Sequence, residues 1–331
     1  MKSVILGAAA LVFAVSTAQA DPMKIRTGWV SATSDTPLLI GKPGIPKHEG
    51  VSYTLEPIHF QGSPQQLMAF AANELDFVGF GYSALPTAIL NAGMGDLRII
   101  ADVFQDGAPG SYSNQFLVLK DGPIHSIADL KGKVAATNGA GSAIDMALRV
   151  MLKKQGMEDK RDYSVIEVAF PNMPSVLKEH KADIIASTRL QTADPAIQAY
   201  ARPLFTQRDA IGRSQMSQVI AHEAFLEKNR AVVIDYLEDM LRVLAWYSDP
   251  AHHDEVVKTY AEWTKVPAAS YDSWLFVKGE DFYRDPNGVP AVEALQSNIE
   301  TQRSLGLIKA PFEVQKYIDL SYIKEAAKRL N

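Results

Sequence analysis

Short apolar runs alternate with segments of helical spacing along the part of the chain that precedes Met216. Positions 53–60 and 77–80 have the character of strands, and after each of them the apolar positions recur every three or four residues. The same order returns in a run that ends at Thr137 and in the segment 142–155 that follows it. Strands that alternate with helices are typical of α/β units with a mostly parallel sheet. The pattern therefore predicts an α/β fold.

Residues 60–80 and 170–187 resemble each other. Each passes from a strand end through a proline-started helix to an acidic residue that opens an apolar strand. Chance stays open as an explanation, because proline is common at helix starts. A true repeat predicts two lobes around one cleft, since ligands bind beyond the carboxyl ends of parallel strands. Residues 225–247 then predict a long amphipathic helix in a largely helical tail, which we expect to pack back on the first unit.

The repeat leads to a division of the chain into lobes. We expect lobe 1 to comprise residues 21–115 and 216–331, and lobe 2 to comprise residues 116–215. The chain must then cross between the lobes near Asn114 and near Gln215, where small polar residues lead into extended apolar runs. Such crossings can act as a hinge.

The first twenty residues are typical of an export signal. Lys2 precedes an apolar run, and Ala18-Gln19-Ala20 is the small-x-small pattern of a signal-peptidase site. The run is too short to span a bilayer as a finished helix. We predict that residues 1–20 are a cleaved signal peptide; a buried N-terminal helix is the alternative.

Composition removes several classes of function. The sequence has no cysteine, which excludes thiol catalysis and cysteine-ligated metals. Its 33 basic and 38 acidic residues give a net charge of −5, so no basic excess points to nucleic acid or anionic lipid. The cluster at 252–255, His-His-Asp-Glu, does not share one helix face. We expect no metal and no cofactor.

The stretch 137–148, TNGAGSAIDMAL, is the clearest candidate binding motif. A strand–turn–helix joint directs free N–H groups and the positive end of the helix dipole at one place. A phosphate loop needs a lysine here, and a dinucleotide fingerprint needs glycine at Ile144, so a nucleotide is disfavoured. Two interpretations remain. One is a tight turn with Ser142 as helix cap, and the other is capture of a carboxylate or sulfonate by the N–H groups and the Ser142 hydroxyl.

Three segments carry a resemblance to a known family, namely LDFVGFGYSALPTAILNAG, IADLKGKVAATNGAGSAIDMALRVMLKKQGM and LGLIKAPFEVQKYIDLSYIKEAAKRL. They resemble periplasmic solute-binding proteins of ABC importers of the nitrate/sulfonate/taurine type, which share their fold with pyrimidine-precursor-binding proteins. The resemblance implies the type II-like, two-lobed periplasmic binding protein fold, with two parallel-sheet lobes joined by a hinge. It also implies a periplasmic location and delivery of the ligand to a membrane permease with an ATPase subunit.

The resemblance also implies where the acid group of a ligand lies, namely at the turns that open the lobe helices. In this sequence those positions are Ser31 and Thr33 in the first turn and residues 138–142 in the fifth. Asn138 stands where a lysine often precedes the glycine in this family.

Other candidates come from the residues themselves. Arg189 follows an apolar strand and could clamp an acid group with its guanidinium; a surface arginine, or one paired with Asp194, is the alternative. Tyr82 could stack on a ligand or donate its hydroxyl, or it could pack beside Pro86. The predicted ligand-binding set is Trp29, Ser31, Thr33, Gln61, Tyr82, Ser83, Asn114, Asn138, Gly139, Gly141, Ser142, Arg189 and Gln215.

We expect a monomeric solute-binding protein, not an enzyme, that captures a small organic anion by hinge closure. A sulfonate or an aromatic carboxylate is the expected ligand. Alternatives are a binder of a neutral pyrimidine-like heterocycle, an enzyme on the same fold, and a sensor that presents its solute to a signalling receptor. The export signal and the lack of cysteine weigh against the enzyme.

Overall fold

The computed structural model describes residues 21–35, Lys42 and residues 44–330. The predicted signal peptide, residues 1–20, lies outside the described residues, and so do residues 37–40, whose sequence predicts the start of a helix. Strands and helices alternate through the described chain, so the predicted α/β class is confirmed. In the parts of the chain that the structure covers, no helix combines the length and the apolar character that a membrane crossing requires.

The strands and helices of the described residues have the following bounds. The strands are β1 (Met23–Trp29), β2 (Tyr53–His59), β3 (Leu97–Asp106), β4 (Gln115–Leu119), β5 (Val134–Thr137), β6 (Ser164–Glu167), β7 (Ile184–Ser187), β8 (Ala201–Thr206) and β9 (Ser214–His222). The α-helices are α1 (Ser63–Ala71), α2 (Ala84–Pro86, continued by a π-helical turn, Thr87–Asn91), α3 (Ala143–Lys154), α4 (Met173–Lys178), α5 (Arg189–Thr192), α6 (Pro195–Gln198), α7 (Gln207–Ile211), α8 (Glu223–Lys228), α9 (Arg230–Ser248), α10 (His253–Thr264), α11 (Val292–Ser304) and α12 (Ser321–Leu330). Short 3₁₀ turns lie at Ile127–Leu130, Phe170–Asn172, Pro250–His252, Ala268–Ser270 and Val314–Tyr317.

The sheet of lobe 2 has five strands in the order β6-β5-β7-β4-β8. Strands β5, β6 and β7 are parallel, and all four residues of β7 are buried, as expected for a strand covered on both faces. Strand β4 runs antiparallel to β7 and β8. The prediction of parallel sheets is therefore wrong for this strand. Gln115, at the start of β4, pairs with Ser187, at the end of β7, because the chain enters this sheet from the cleft side.

The strands of lobe 1 form a second layer. Strands β1 and β2 pair in parallel, while β3 and β9 pair antiparallel, so this layer is also mixed rather than parallel. Residues 77–78 connect the two pairs, since Thr27 bridges Phe77 and Val78 bridges Ile220. Helices α9, α10 and α12 of the tail share one buried apolar core with β1 and residue 77. We propose that the lobe boundaries lie where the sequence places them.

Asp106 anchors the first crossing between the two layers. Its buried carboxylate accepts hydrogen bonds from the Ser113 hydroxyl at 2.6 Å and from the Asn114 N–H at 2.7 Å. The Ser113 hydroxyl in turn accepts from the Arg208 N–H of the return crossing at 3.0 Å. Burial raises the pKa of Asp106 to about 7, although these two hydrogen bonds oppose the rise. One side chain thus ties both passages of the proposed hinge together.

We expect Asp106→Ala to lower the free energy of unfolding by about 2–4 kcal/mol, because it leaves the Ser113 hydroxyl and the Asn114 N–H buried without an acceptor.

A pKa of Asp106 that is raised by folding favours the folded state below the unfolded value near 4, and this advantage disappears as the pH rises through about 7. The stability of the wild type relative to Asp106→Asn should therefore fall between pH 4.5 and pH 7.5. Urea unfolding of the three proteins at both pH values measures this, and a constant difference would contradict the assignment.

Candidate functional site

A cavity lies between the two lobes, and we call it the inner cavity. The space between its side chains is about 610 Å³, including the open mouth. Its lining comes from the loops that follow β1, β5 and β7 and from the strand ends at the hinge, which is where ligands bind in parallel sheets. The lining residues are Val30, Ser31, Thr33, Ser34, Asp35, Ser63, Gly79, Phe104, Asn114, Asn138, Ser142, Ala143, Ile144, Phe170, Thr188, Arg189, Met216 and Phe282.

The turn between β5 and α3 is fixed by its own side chains. Gly141 has a φ of +81°, a conformation that favours glycine, and its N–H donates to the Asp145 carboxylate at 2.8 Å. Ser142 caps the helix by accepting the Asp145 N–H at 3.2 Å, and its hydroxyl donates to Asn138 Oδ1 at 2.8 Å. The Ala140 N–H donates to Glu167 at 3.1 Å. The tight-turn interpretation is therefore correct for residues 140–142, whose polar groups contact the protein itself.

The two N–H groups that follow the turn are different. Ala143 and Ile144 are the first residues of α3, and both line the inner cavity. Across the described residues, neither N–H has an acceptor within hydrogen-bonding distance. Such donors, together with the positive end of the helix dipole, attract an anion. Anion capture is thus possible at Ala143 and Ile144, which follow the predicted glycine turn in the chain.

The loop after β1 forms the opposite wall of the inner cavity. The N–H groups of Val30 and Ser31 both donate to Asp35 Oδ2 at 2.9 Å, which folds residues 30–35 into a compact turn. The hydroxyls of Ser31 and Thr33 lie 3.4 Å apart on this turn. Burial raises the pKa of Asp35 to about 6, and the two N–H groups limit the rise. A titrating carboxyl therefore borders the cavity.

Arg189 crosses the cleft. It begins α5 in lobe 2, and its Nε and Nη2 donate to the Glu280 carbonyl at 2.8 Å and to the Glu280 carboxylate at 3.0 Å. Its guanidinium lies 5.0 Å from the ring centre of Tyr112 and 5.7 Å from that of Trp274. The alternative partner Asp194 instead accepts the Ala196 N–H at 2.8 Å.

Further polar contacts join the two lobes, and together with Arg189–Glu280 we call them the closure contacts. The Gln61 side chain donates to the Asn138 carbonyl at 3.1 Å, and the Asn138 side chain donates to the Gln61 carbonyl at 3.0 Å. The Tyr82 hydroxyl donates to the Ala143 carbonyl. The hydroxyls of Tyr112 and Thr192 lie 2.9 Å apart. Polar contacts thus join the two sides of the inner cavity in this structure.

A larger space adjoins the inner cavity, and we call it the outer groove. Its lining residues are Trp29, Val30, Ser31, Ala32, Thr33, His59, Phe60, Gln61, Ala169, Phe170, Pro171, Pro174, Thr188, Leu190, Gln191, Ala193, Asp194, Pro195, Ile197, Thr264, Val266, Pro267, Ala269, Ser270, Tyr271 and Ser273.

The predicted site residues fall into three groups. Six line the inner cavity, namely Ser31, Thr33, Asn114, Asn138, Ser142 and Arg189. Ser31 and Thr33 also border the outer groove, where they are joined by Trp29 and Gln61. Neither space is lined by the remaining five, which are Tyr82, Ser83, Gly139, Gly141 and Gln215. The Gln215 amide, for example, is used within lobe 1, where it donates to Asp102 at 2.5 Å and accepts from the Ala291 N–H at 2.7 Å. A ligand role for these five stays a prediction.

Sequence reasoning missed several lining residues. Phe104 lies in a largely apolar run typical of a core strand, and Met216 stands among small polar residues at the predicted crossing, so neither position indicated a ligand contact. Phe282 follows a segment without helical or strand periodicity, so no local pattern marks it. No sequence pattern indicated that Asp35 borders the cavity, because its role as hydrogen-bond acceptor for the turn depends on how residues 30–35 fold.

One group of side chains has the composition of a metal site. Among the described residues, His48, Asp235 and Glu238 bring one potential ligand atom each within 4.8 Å of one another. Arg329 donates to Asp235 at 2.7 Å and Arg242 to Glu238 at 2.5 Å, so both carboxylates already have cationic partners. None of the three residues lines the inner cavity or the outer groove. We assign no metal to this cluster.

The chain matches a known protein family. The model of the NMT1-like family matches residues 18–261, which is more than half of the chain. No curated protein matches the sequence.

Solved structures of low sequence identity share the fold. The alkanesulfonate-binding protein SsuA from Xanthomonas axonopodis pv. citri, bound to MOPS, is 18% identical with a TM-score of 0.70, and the match covers 91% of this chain and 99% of that chain. For the periplasmic nitrate-binding protein NrtA from Synechocystis PCC 6803 the identity is 16%, the TM-score 0.72 and the coverage 94% and 89%. The desulfurization enzyme DSZB is 14% identical with a TM-score of 0.65, and the match covers 93% of this chain and 100% of that chain. The predicted two-lobed periplasmic binding protein fold is confirmed.

We expect Gln61→Ala to shift the ligand-free protein toward an open cleft. The substitution removes one hydrogen bond of the Gln61–Asn138 pair, which contributes about 0.5–1.5 kcal/mol to the closed arrangement. Small-angle X-ray scattering should therefore give a larger radius of gyration than for the wild type. Gln155→Ala, at the exposed end of α3, is the control and should leave the scattering curve unchanged. Identical curves for all three proteins would show that this pair does not hold the lobes.

Proposed function

The chain belongs to the NMT1-like family, and from this premise we propose that it is the periplasmic solute-binding component of an ABC importer. It captures a small organic anion, a sulfonate or an aromatic carboxylate, in the inner cavity. It then delivers the ligand to a membrane permease with an ATPase subunit. The alkanesulfonate-binding and nitrate-binding neighbours bind anions by name, which supports an anion here.

The observation that carries this proposal is the pair of unpartnered N–H groups at Ala143 and Ile144. They line the inner cavity from lobe 2, while the hydroxyls of Ser31 and Thr33 line it from lobe 1. An acid group has several acceptor oxygens and a charge that suits the helix N-terminus. Hydrogen bonds between backbone N–H groups and an ionised acceptor are among the stronger ones in proteins. A carboxylate or sulfonate therefore matches these donors.

The rest of the lining favours an organic anion over an inorganic one. Phe104, Phe170, Met216 and Phe282 add apolar surface to a cavity that is polar at α3 and at the β1 loop. Ligand sites of this kind combine a mostly apolar wall with a few polar groups that fix the orientation. An aromatic or aliphatic body attached to the acid group would fill this wall.

The mechanism is equilibrium capture without any chemical step. A ligand that contacts both lobes lowers the free energy of the closed state relative to the open one. The closure contacts add to this preference because they form between the same surfaces. We propose that the closed shape is what the permease recognises. The fold also carries a desulfurization enzyme, but this chain has no cysteine and so no thiol nucleophile.

A thermal-shift screen against sulfonates, aromatic acids and pyrimidines tests the ligand class. We expect stabilisation by one or more anions, since a ligand that binds only the folded protein raises its melting temperature. Stabilisation by a pyrimidine alone would replace the anion by the neutral heterocycle.

We expect Arg189→Ala to weaken binding of the best anion of that screen at least tenfold, about 1.4 kcal/mol. The guanidinium borders the cavity and also holds the lobes through Glu280. Calorimetry measures the effect, with Arg161→Ala, an exposed arginine of the same lobe, as the matched control. Glu280→Gln separates the two roles. If it weakens binding as much as Arg189→Ala, the arginine acts through closure alone, and unchanged affinity of Arg189→Ala removes it from the site.

We expect the affinity for benzenesulfonate to fall as the pH rises through about 6. Above that pH the Asp35 carboxyl carries a negative charge at the edge of the cavity, whereas below it the carboxyl is neutral. The sulfonate stays ionised over the whole range, so the change belongs to the protein. Calorimetry between pH 5 and pH 7.5 should show a several-fold decrease for the wild type and a flat profile for Asp35→Asn. Asp121→Asn, on an exposed turn, should keep the wild-type slope.

A further inference from the structure

The inner cavity and the outer groove are neighbours in the cleft. The two spaces share five lining residues, namely Val30, Ser31, Thr33, Phe170 and Thr188. The outer groove holds about 2430 Å³ of space, including its opening to solvent. The rest of a molecule whose acid group binds at the start of α3 would therefore lie next to the outer groove.

The walls of the outer groove are mostly apolar on both sides. Trp29, Phe60 and Tyr271 come from lobe 1, and Leu190 and Ile197 come from lobe 2. Within the described lining there is no lysine or arginine. Its ionisable groups are His59, the carboxyl of Asp194, and the Tyr271 hydroxyl, which is hydrogen-bonded to Thr264. The groove thus offers mostly hydrocarbon surface, without a lysine or an arginine that could pair with another acid group.

The apolar walls are held in place by packing. The Trp29 ring lies 4.3 Å from His59 and 5.3 Å from Trp263, measured between ring centres. Tyr271 is 1% exposed and Ile197 8% exposed, so both are fixed by their neighbours. A wall that is already ordered loses little side-chain entropy when a ligand covers it.

The groove also depends on the closed cleft. Leu190 and Ala193 of lobe 2 pack against the apolar core of lobe 1. An apolar group in the groove would therefore contact both lobes at once and favour closure in the same way as the acid group.

We propose that the ligand is an amphiphilic anion whose acid group binds in the inner cavity and whose apolar tail occupies the outer groove. This inference rests on the proposed function, because it takes the anion site at α3 as the fixed point. Nitrate or a very short sulfonate would leave the groove filled with water. A longer tail would bury apolar surface there, and each added methylene should then raise the affinity about fourfold.

The test compares n-alkanesulfonates from butanesulfonate to octanesulfonate by calorimetry. For the wild type we expect the affinity to rise at least a hundredfold over these four methylenes, given about fourfold for each. Ala269→Phe adds a bulky side chain to an exposed position that lines the groove. It should weaken octanesulfonate binding at least tenfold and change butanesulfonate binding less than twofold. Ala268→Phe, one residue earlier in the same 3₁₀ turn and outside the lining, is the matched control and should resemble the wild type.

The outcomes separate the two proposals. An affinity that does not depend on chain length, with butanesulfonate still bound, overturns the tail site and leaves the anion site intact. If 1-octanol binds as tightly as octanesulfonate, the groove holds a neutral apolar molecule and the proposal is wrong. Failure of every sulfonate and aromatic carboxylate to bind removes both the proposed function and this inference. Equal losses for Ala268→Phe and Ala269→Phe would show that the substitution disturbs the turn and not the groove, and would also count against the tail site.

Discussion

The buried Asp145 carboxylate organises the proposed anion site. It accepts hydrogen bonds from the Thr137 hydroxyl at 3.2 Å, from the Gly141 N–H at 2.8 Å and from Arg149 Nε at 2.7 Å. One side chain therefore connects the end of β5, the glycine turn and the body of α3. Because the Gly141 N–H is bound by Asp145, the next free donors are those of Ala143 and Ile144. Backbone N–H groups without an acceptor are costly when buried, so the site retains an affinity for any acceptor that enters the cavity.

The contacts that join the two lobes are individually weak. The closure contacts are a few neutral hydrogen bonds and one partly exposed ion pair, Arg189–Glu280. Each neutral bond contributes about 0.5–1.5 kcal/mol and an exposed ion pair less. Such a set biases the lobes toward closure without fixing them. A ligand that contacts both lobes then needs to add only a modest preference for the closed state.

Local patterns in the sequence predict the α/β class and the turn after β5, because buried strands and capped helices depend on near neighbours. The direction of β4 is not a local property. It follows from the crossing at residues 107–114, which delivers the chain to the cleft end of β7, so the expected parallel sheet is mixed. The sequence also does not show which backbone N–H groups of the turn already have an acceptor. Nothing in TNGAGSAIDMAL indicates that the Asp145 side chain accepts a hydrogen bond from the Gly141 N–H.

Residues far apart in sequence complete the site, and this limits what any motif can predict. Glu280 and Phe282 come from an irregular segment between α10 and α11, and the packing of the helical tail on lobe 1 places this segment at the cleft. Their neighbour Arg284 is almost fully buried, where it donates to the Thr33 carbonyl at 2.8 Å and pairs with Asp281 at 3.1 Å. The tail therefore supports the β1 loop through Arg284, and it also places Phe282 in the lining of the inner cavity. The proposed solute site therefore depends on a third segment as well as on two β–turn–α joints, because the tail pairs Glu280 with Arg189 of lobe 2 and holds the Thr33 carbonyl of lobe 1 through Arg284.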